Sequence, residues 1–133
     1  MILDTTFLSQ LWREQAAGKV GPARRLLRAR RNQPIFTTVV NLAELAVLVH
    51  SESDLARFFA QFRVLPLHFG AAVAAGQLDR RLRKSGDRLG EADTLIAGIA
   101  LYNGQPLVSR DAAFDRVPGL RRIPHEVASP DES

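Results

Sequence analysis

Met1-Ile2-Leu3-Asp4-Thr5-Thr6 opens the chain with an apolar run that halts at an acid. A run bounded in this way suits a buried strand carrying Asp4 at its carboxyl end, and the pattern after it predicts a helix from Thr6 to Gln15. Pro34-Ile35-Phe36-Thr37-Thr38 reads as a second strand, opened by a proline that cannot donate a ladder bond. Asn41 is the expected cap of a helix from Leu42 to His50. Val64 to Leu67 and Pro106 to Ser109 predict further strands, and Leu120 to Ile123 a short edge strand. Helices are expected over Ala23–Arg31, Ser53–Phe62 and Ala71–Lys84, and from Glu91 to the stop at Asn103-Gly104, where Ala92, Leu95, Ile96, Ile99 and Ala100 repeat at buried-face spacing. Strands alternating with helices predict an α/β domain whose sheet is mainly parallel, with four or five strands.

The chain has 133 residues, 46% hydrophobic and 24% charged, which suits one globular domain over residues 1–133 with a frayed, disordered tail at about 128–133. Its longest nearly apolar stretches are shorter than the roughly 20 residues needed to cross a bilayer, and no basic leader precedes an apolar run, so a cytoplasmic protein without a membrane partner is expected. Zero cysteines exclude disulfides, a thiol nucleophile and thiolate metal sites. His50, His68 and His125 are too scattered for a local ligand pair, so a bound metal must be held by oxygen. Basic residues outnumber acidic ones by 18 to 14, and all but Lys19 and Lys84 are arginines, which suit a polyanionic partner or simply a solvated surface. Five of them crowd Ala23–Arg31. Arg24, Arg25 and Arg28 there, and Arg110 beyond the fourth strand, are the candidate contacts for such a polyanion.

In an open parallel sheet, ligands bind beyond the carboxyl ends of the strands. Asp4 ends the first strand, Asp111 follows the fourth by two residues from Ser109, and Asp115 lies one turn further on. Glu44 stands in the helix after the second strand, and Asp93 in the first turn of the helix that leads into the fourth. All can converge on one edge. Glu44 is surrounded in sequence by apolar residues, so the helix reads as buried and its carboxylate needs a partner, either an arginine or a metal. Asp93 could serve only the helix dipole and Asp4 only as a cap. Gathered in one pocket, however, these acids would repel unless a divalent cation neutralised them, and oxygen ligands favour Mg2+ or Mn2+. Arginines holding a phosphodiester backbone beside such a cup point to phosphodiester hydrolysis. The Phe58, Phe59 and Phe62 stretch is read as core, or else as one wall of a groove for a partner helix.

These residues resemble the PIN-domain ribonucleases, and among them the VapC-type toxins of toxin–antitoxin pairs. Met1-Ile2-Leu3-Asp4-Thr5-Thr6-Phe7-Leu8 is similar to the family's opening strand with its first acid, and Thr6 falls where a supporting hydroxyl or amide often stands. Asn41-Leu42-Ala43-Glu44-Leu45 and Glu91-Ala92-Asp93-Thr94-Leu95-Ile96-Ala97 resemble the second and third motifs. Leu107-Val108-Ser109-Arg110-Asp111-Ala112-Ala113-Phe114-Asp115 resembles the fourth, with Ser109 as a supporting hydroxyl. Where many members carry an acid before the phenylalanine this sequence has Ala113, which leaves Asp111, Asp115 or both to complete the metal site. The resemblance implies a three-layer PIN-like fold and an Mg2+- or Mn2+-dependent endoribonuclease. It also implies Asp4, Glu44, Asp93 and Asp111 as catalytic and metal-binding acids, with Asp115 as helper, a cognate antitoxin and a homodimer. The alternative is a catalytically degraded module of the same fold that binds RNA or protein.

Overall fold

Ile2 and Leu3 form β1 (Ile2–Leu3), the middle strand of a five-stranded, all-parallel sheet in the order β3-β2-β1-β4-β5. The computed structural model describes residues 1–125, so the expected tail lies outside the described residues. The other strands are β2 (Phe36–Thr38), β3 (Arg63–Leu65), β4 (Leu107–Val108) and β5 (Arg122–Ile123). Ile2 pairs with Phe36 on one side and Leu107 on the other. Because successive strand residues face opposite ways, Ile2 enters one core and Leu3 another. The chain builds β1 to β3 outward in one direction and then returns to place β4 against the other edge of β1. That reversal puts the topological switch between β1 and β4, where a crevice opens at the carboxyl ends.

Helices cover both faces. On the Leu3 side, α1 (Thr5–Ala17), α2 (Pro22–Ala29) and α4 (Glu52–Phe59) enclose Phe7, Leu8, Leu11, Phe58 and Phe59. Phe58 and Phe59 are therefore core, as expected, while Phe58 also borders an open groove between α1 and α4 lined by Trp12, Arg57 and Gln61. On the Ile2 side lie α5 (Phe69–Ser85) and α6 (Glu91–Asn103), an antiparallel hairpin joined by residues 86–90. Gly98 of α6 lies so close to Ala75 of α5 that an added Cβ would stand 2.7 Å from the Ala75 backbone nitrogen.

The helix after β2 departs from expectation. It is α3 (Val39–Ala46), not Leu42–His50, and its cap is Thr38, whose hydroxyl accepts from the Asn41 N–H. Asn41 is thus inside the helix and buried. Nor is α3 surrounded by protein: only Asn41 and Leu45 are buried, and Val47 and Leu48 just beyond it are 74% and 66% exposed. Apolar composition does not set burial where a short helix crosses the end of a sheet and offers it one face. Smaller shifts occur where side chains cap earlier than the periodicity suggests, Asp4 for α1, Ser51 for α4 and His68 for α5. The polar turn after β4 contains a 3₁₀ helix (Ala112–Arg116) anchored by buried Phe114.

Glu14 is a carboxylate in the core, 3% exposed. One oxygen accepts the Gly21 and Arg24 N–H groups, both at 2.9 Å, and the other accepts the Ala23 N–H at 3.0 Å and the Gln10 amide at 2.9 Å. It caps α2, whose own N-cap is Gly21 and has no side chain to offer. Burial pushes the Glu14 carboxyl up, but these donors outweigh it and hold the group below its usual range. A depressed folded pKa stabilises the fold above the unfolded value near ~4.3 and is lost as pH falls through the folded one. Glu14→Gln, which turns an NH2 toward N–H donors, should cost about 2 kcal/mol in urea unfolding at neutral pH. The difference from wild type should shrink below about pH 4, whereas a pH-independent difference would deny the charge its role.

Candidate active site

Asp4 sits at the β1–β4 switch and is 8% exposed. As N-cap of α1 it accepts the Thr5 N–H through Oδ1 at 2.9 Å, and the same oxygen accepts Asn41 Nδ2 at 3.1 Å. Its other oxygen accepts the Ser109 hydroxyl at 2.7 Å. Both oxygens are therefore aimed by neighbours from three different strand ends. Ser109 Oγ in turn accepts the Asp111 N–H at 3.1 Å, tying the loop after β4 to the same carboxylate.

Asn41 is oriented from behind. Thr38 Oγ1 donates to Asn41 Oδ1 at 2.7 Å, which leaves the amide NH2 to face Asp4 and, at 3.0 Å, the Thr5 hydroxyl. Thr5 Oγ1 then donates to Glu44 Oε1 at 2.6 Å. Glu44 thus finds its partner in a threonine and not in an arginine. Of the two hydroxyls after Asp4, Thr5 reaches the acids while Thr6, the expected one, is exposed. The reason is phase: α1 begins one residue earlier than expected, and each helical residue rotates by about 100°. Thr38 and Asn41 were not legible as site residues from type alone. The available signal was a strand end too polar for its place, Thr37, Thr38 and Asn41 all being fully buried.

Asp93, in the first turn of α6, accepts no hydrogen bond among the described residues. Its carboxyl is pushed up to about 6, first by burial and then by the negative charges of Asp4, Asp111 and Glu44. Four acids from four segments therefore share one electrostatic basin. Asp115 is not among the charges that raise Asp93. Its oxygens are engaged by Arg122, Nε at 2.9 Å and Nη2 at 3.1 Å, and this pairing holds its carboxyl below the usual range. Arg122 also donates to the Ser109 carbonyl at 3.1 Å, so the pair braces the loop that carries Asp111. Asp111 itself is exposed and caps the 3₁₀ helix through the Ala113 N–H.

The donor set is all oxygen and strongly anionic, which fits a hard divalent cation in charge and in chemistry. Among the described residues, no three His, Asp or Glu side chains are already gathered closely enough to hold a metal ion.

The arginines divide by position. Arg110 is exposed directly after Ser109, at the acidic edge. Those of α2 lie at the other end of α1, where Glu14 caps their helix. Arg24 and Arg25 donate to the Lys19 and Val20 carbonyls, and Arg30 comes near enough to Met1 for its charge, after burial, to lower the pKa of the amino terminus. Met1 marks the start of β1, the sheet edge opposite Asp4. α2 thus reaches Met1 through Arg30, while Arg25 borders a pocket with Pro124 and His125, and His125 packs on Phe7 in the first turn of α1.

A family model described as "PIN domain" matches residues 1–120. Ribonuclease VapC10 of Mycobacterium tuberculosis is 38% identical over 77 residues, which cover 56% of this chain and 58% of that protein. The chain thus spans a little over half the length of this relative. Among solved structures, VapBC2 from Rickettsia felis bound to a promoter DNA fragment superposes with a TM-score of 0.80 at 22% identity, over 94% of this chain and 98% of that one. VapBC-1 from nontypeable Haemophilus influenzae gives 0.74 at 19%, over 92% and 96%. VapBC-5 from Mycobacterium tuberculosis gives 0.61 at 25%, over 95% and 97%.

Proposed function

The chain belongs to the PIN domain family, and from that premise we propose that it is an endoribonuclease that hydrolyses RNA phosphodiester bonds with Mg2+ or Mn2+. The observation that carries the reading is the raised carboxyl of Asp93, driven after burial by Asp4, Asp111 and Glu44. Acids kept together at such a cost suit a site whose mutual repulsion is offset when a divalent cation binds among them. Asp4 and Asp93 would hold the cation directly, with Asp111 completing the set and Glu44 orienting water. When bound, the cation supplies positive charge to the phosphodiester and lowers the pKa of an attacking water.

The chain's own residues prepare that site. Ser109 and Asn41 fix the two oxygens of Asp4, so its carboxylate cannot rotate away. Thr5, itself held by Asn41, keeps Glu44 turned toward the same edge. Asp115 serves through Arg122, which steadies the Asp111 loop, and so acts as a positioning residue. Arg110 contacts the substrate backbone beside the acids, and the α2 arginines add only general attraction for a polyanion.

The biological role we assign is that of a toxin held by a cognate antitoxin, acting in the cytoplasm as a homodimer. No helix among the described residues is long and apolar enough to cross a membrane. The reading is tested with purified, antitoxin-free protein and a mixed RNA pool in Mg2+, in Mn2+ and in chelator. Cleavage in the metal lanes alone is expected, whereas intact RNA in every lane, from folded protein, returns the chain to a binding module.

A further inference from the structure

The α5–α6 hairpin turns over at the same end of the molecule as the acids, since Asp93 lies in the first turn of α6. Arg83 and Lys84 end α5, and Arg88 sits in the loop between the helices. Asp79, one turn back in α5, holds two of these cations at once: Oδ2 accepts Arg83 Nε at 2.8 Å and Oδ1 accepts Arg88 Nε at 3.1 Å. The Asp79 side chain is 24% exposed, while those of Arg83 and Arg88 are 57% and 48% exposed. An isolated surface pair of this kind contributes about 0–1 kcal/mol, so stability alone is a weak reason for the arrangement.

The choice of atom is more informative. Both bonds use Nε, which leaves the terminal amino groups of both guanidiniums without a carboxylate or carbonyl partner among the described residues. A guanidinium held by Nε has its plane set in advance, which reduces the ordering needed to grip a phosphate with the two remaining nitrogens. Two such forks share one carboxylate, so the group keeps a net positive charge. Arg80 and Lys84, both exposed, add to it. A groove between α5 and α6 runs from Asp79 and Arg88 past Glu91 to Thr94, beside the turn that carries Asp93.

Resting on the nuclease reading above, we propose that Arg83 and Arg88, pre-set by Asp79, form a phosphate clamp that holds single-stranded RNA along the α5–α6 end while a phosphodiester lies at the acids. The acidic cup repels a bare RNA backbone, and cations fixed to one side of it decide from which direction the strand enters. Both arginines act on binding and position, not on the bond that breaks.

The test uses the full chain and an eight-nucleotide single-stranded RNA labelled with fluorescein. In an Asp93→Asn background, where cleavage does not interfere, Arg83→Gln with Arg88→Gln should weaken binding about tenfold at low salt. The slope of log affinity against log salt should also fall by roughly 1.4, about 0.7 for each lost single-strand phosphate contact. In the cleaving protein the same pair should raise KM with little change in kcat. Arg83→Lys with Arg88→Lys keeps the charge and should retain the slope while losing part of the affinity. Arg63→Gln with Arg121→Gln removes the same charge from the opposite sheet edge and should leave binding of this short RNA nearly unchanged. An unaltered slope in the clamp variant, or an equal loss from the remote pair, would overturn the clamp. RNA cleavage with normal KM in that variant would do so while leaving the nuclease reading intact, and RNA binding lost in a protein that never cleaves would do the reverse.

Discussion

Asp93→Asn should reduce metal-dependent RNA cleavage by at least about 100-fold while making the metal-free protein more stable at neutral pH. The first expectation follows from removing one charge of a set whose joint task is to hold a cation and face a phosphodiester. The second follows from linkage. An acid whose folded pKa is raised to about 6 binds a proton more tightly in the fold than in the unfolded chain. The folded state is therefore favoured as pH falls from 7 through 6 toward 4 and is penalised above that window. Asparagine removes the penalty, of order 1–3 kcal/mol. Because Asp93 accepts no hydrogen bond among the described residues, the substitution breaks nothing in exchange. Cleavage assays with Mg2+ and thermal melts in chelator at pH 5 and 7 check both halves. A variant that cleaves at the wild-type rate would remove Asp93 from the site, and one less stable than wild type at pH 7 would deny the repulsion.

Asp4→Asn should lose as much activity but gain no stability. Its two oxygens accept from Thr5, Asn41 and Ser109, and an amide can offer an acceptor on one side only. The contrast between two aspartates in one basin separates charge relief from hydrogen bonding.

Gly98→Ala should destabilise the fold by about 1–3 kcal/mol, against the usual sign for glycine replacement inside a helix. Its added Cβ would stand 2.5 Å from Ala75 Cβ and 2.7 Å from Ala75 Cα and N, so backbone must move and the α5–α6 hairpin must part. Spreading these helices would also shift Asp93, which rides on α6, so activity should fall beyond the loss of folded protein. Ala75→Gly in the same chain should recover only part of the stability, because the Ala75 backbone atoms remain in the way. Gly76, one residue along α5, is the control: nothing lies within 4 Å of an added Cβ there. Gly76→Ala should stabilise by roughly 0.5–1 kcal/mol through helix propensity. Denaturant unfolding of the two variants should thus move in opposite directions. A neutral Gly98→Ala would mean that α5 and α6 pack less closely than the Ala75 contact requires.

Much of the fold was open to reading because its signals are local. An apolar run ended by Asp4, a proline-led Phe36-Thr37-Thr38, and the buried-face spacing of α6 each specify an element without reference to anything distant. Their alternation implies a parallel sheet, and a parallel sheet brings strand ends together, so acids that follow strands stand out in the sequence itself. The absence of cysteine and the scatter of histidine limited the donor set to oxygen in the same way.

What tertiary structure alone decided is which neighbours those acids have. Thr5 rather than Thr6 faces Glu44 because of the phase at which α1 begins, and Asn41 became a buried donor to Asp4 because Thr38 took over the cap of α3. In the sequence Asp111 is favoured over Asp115 only for lying nearer the strand end, and the ion pair of Asp115 with Arg122, on a strand that pairs with β4, is not legible in the polar turn. The five arginines of Ala23–Arg31 could not be assigned positions until packing set Arg30 near Met1 and Arg25 beside Pro124 and His125. In each case the deciding contact joins segments far apart in sequence, such as the 105 positions between Asp4 and Ser109. Local periodicity holds no information about such pairs, because they form only when chain reversal and packing bring separate strand ends to one edge.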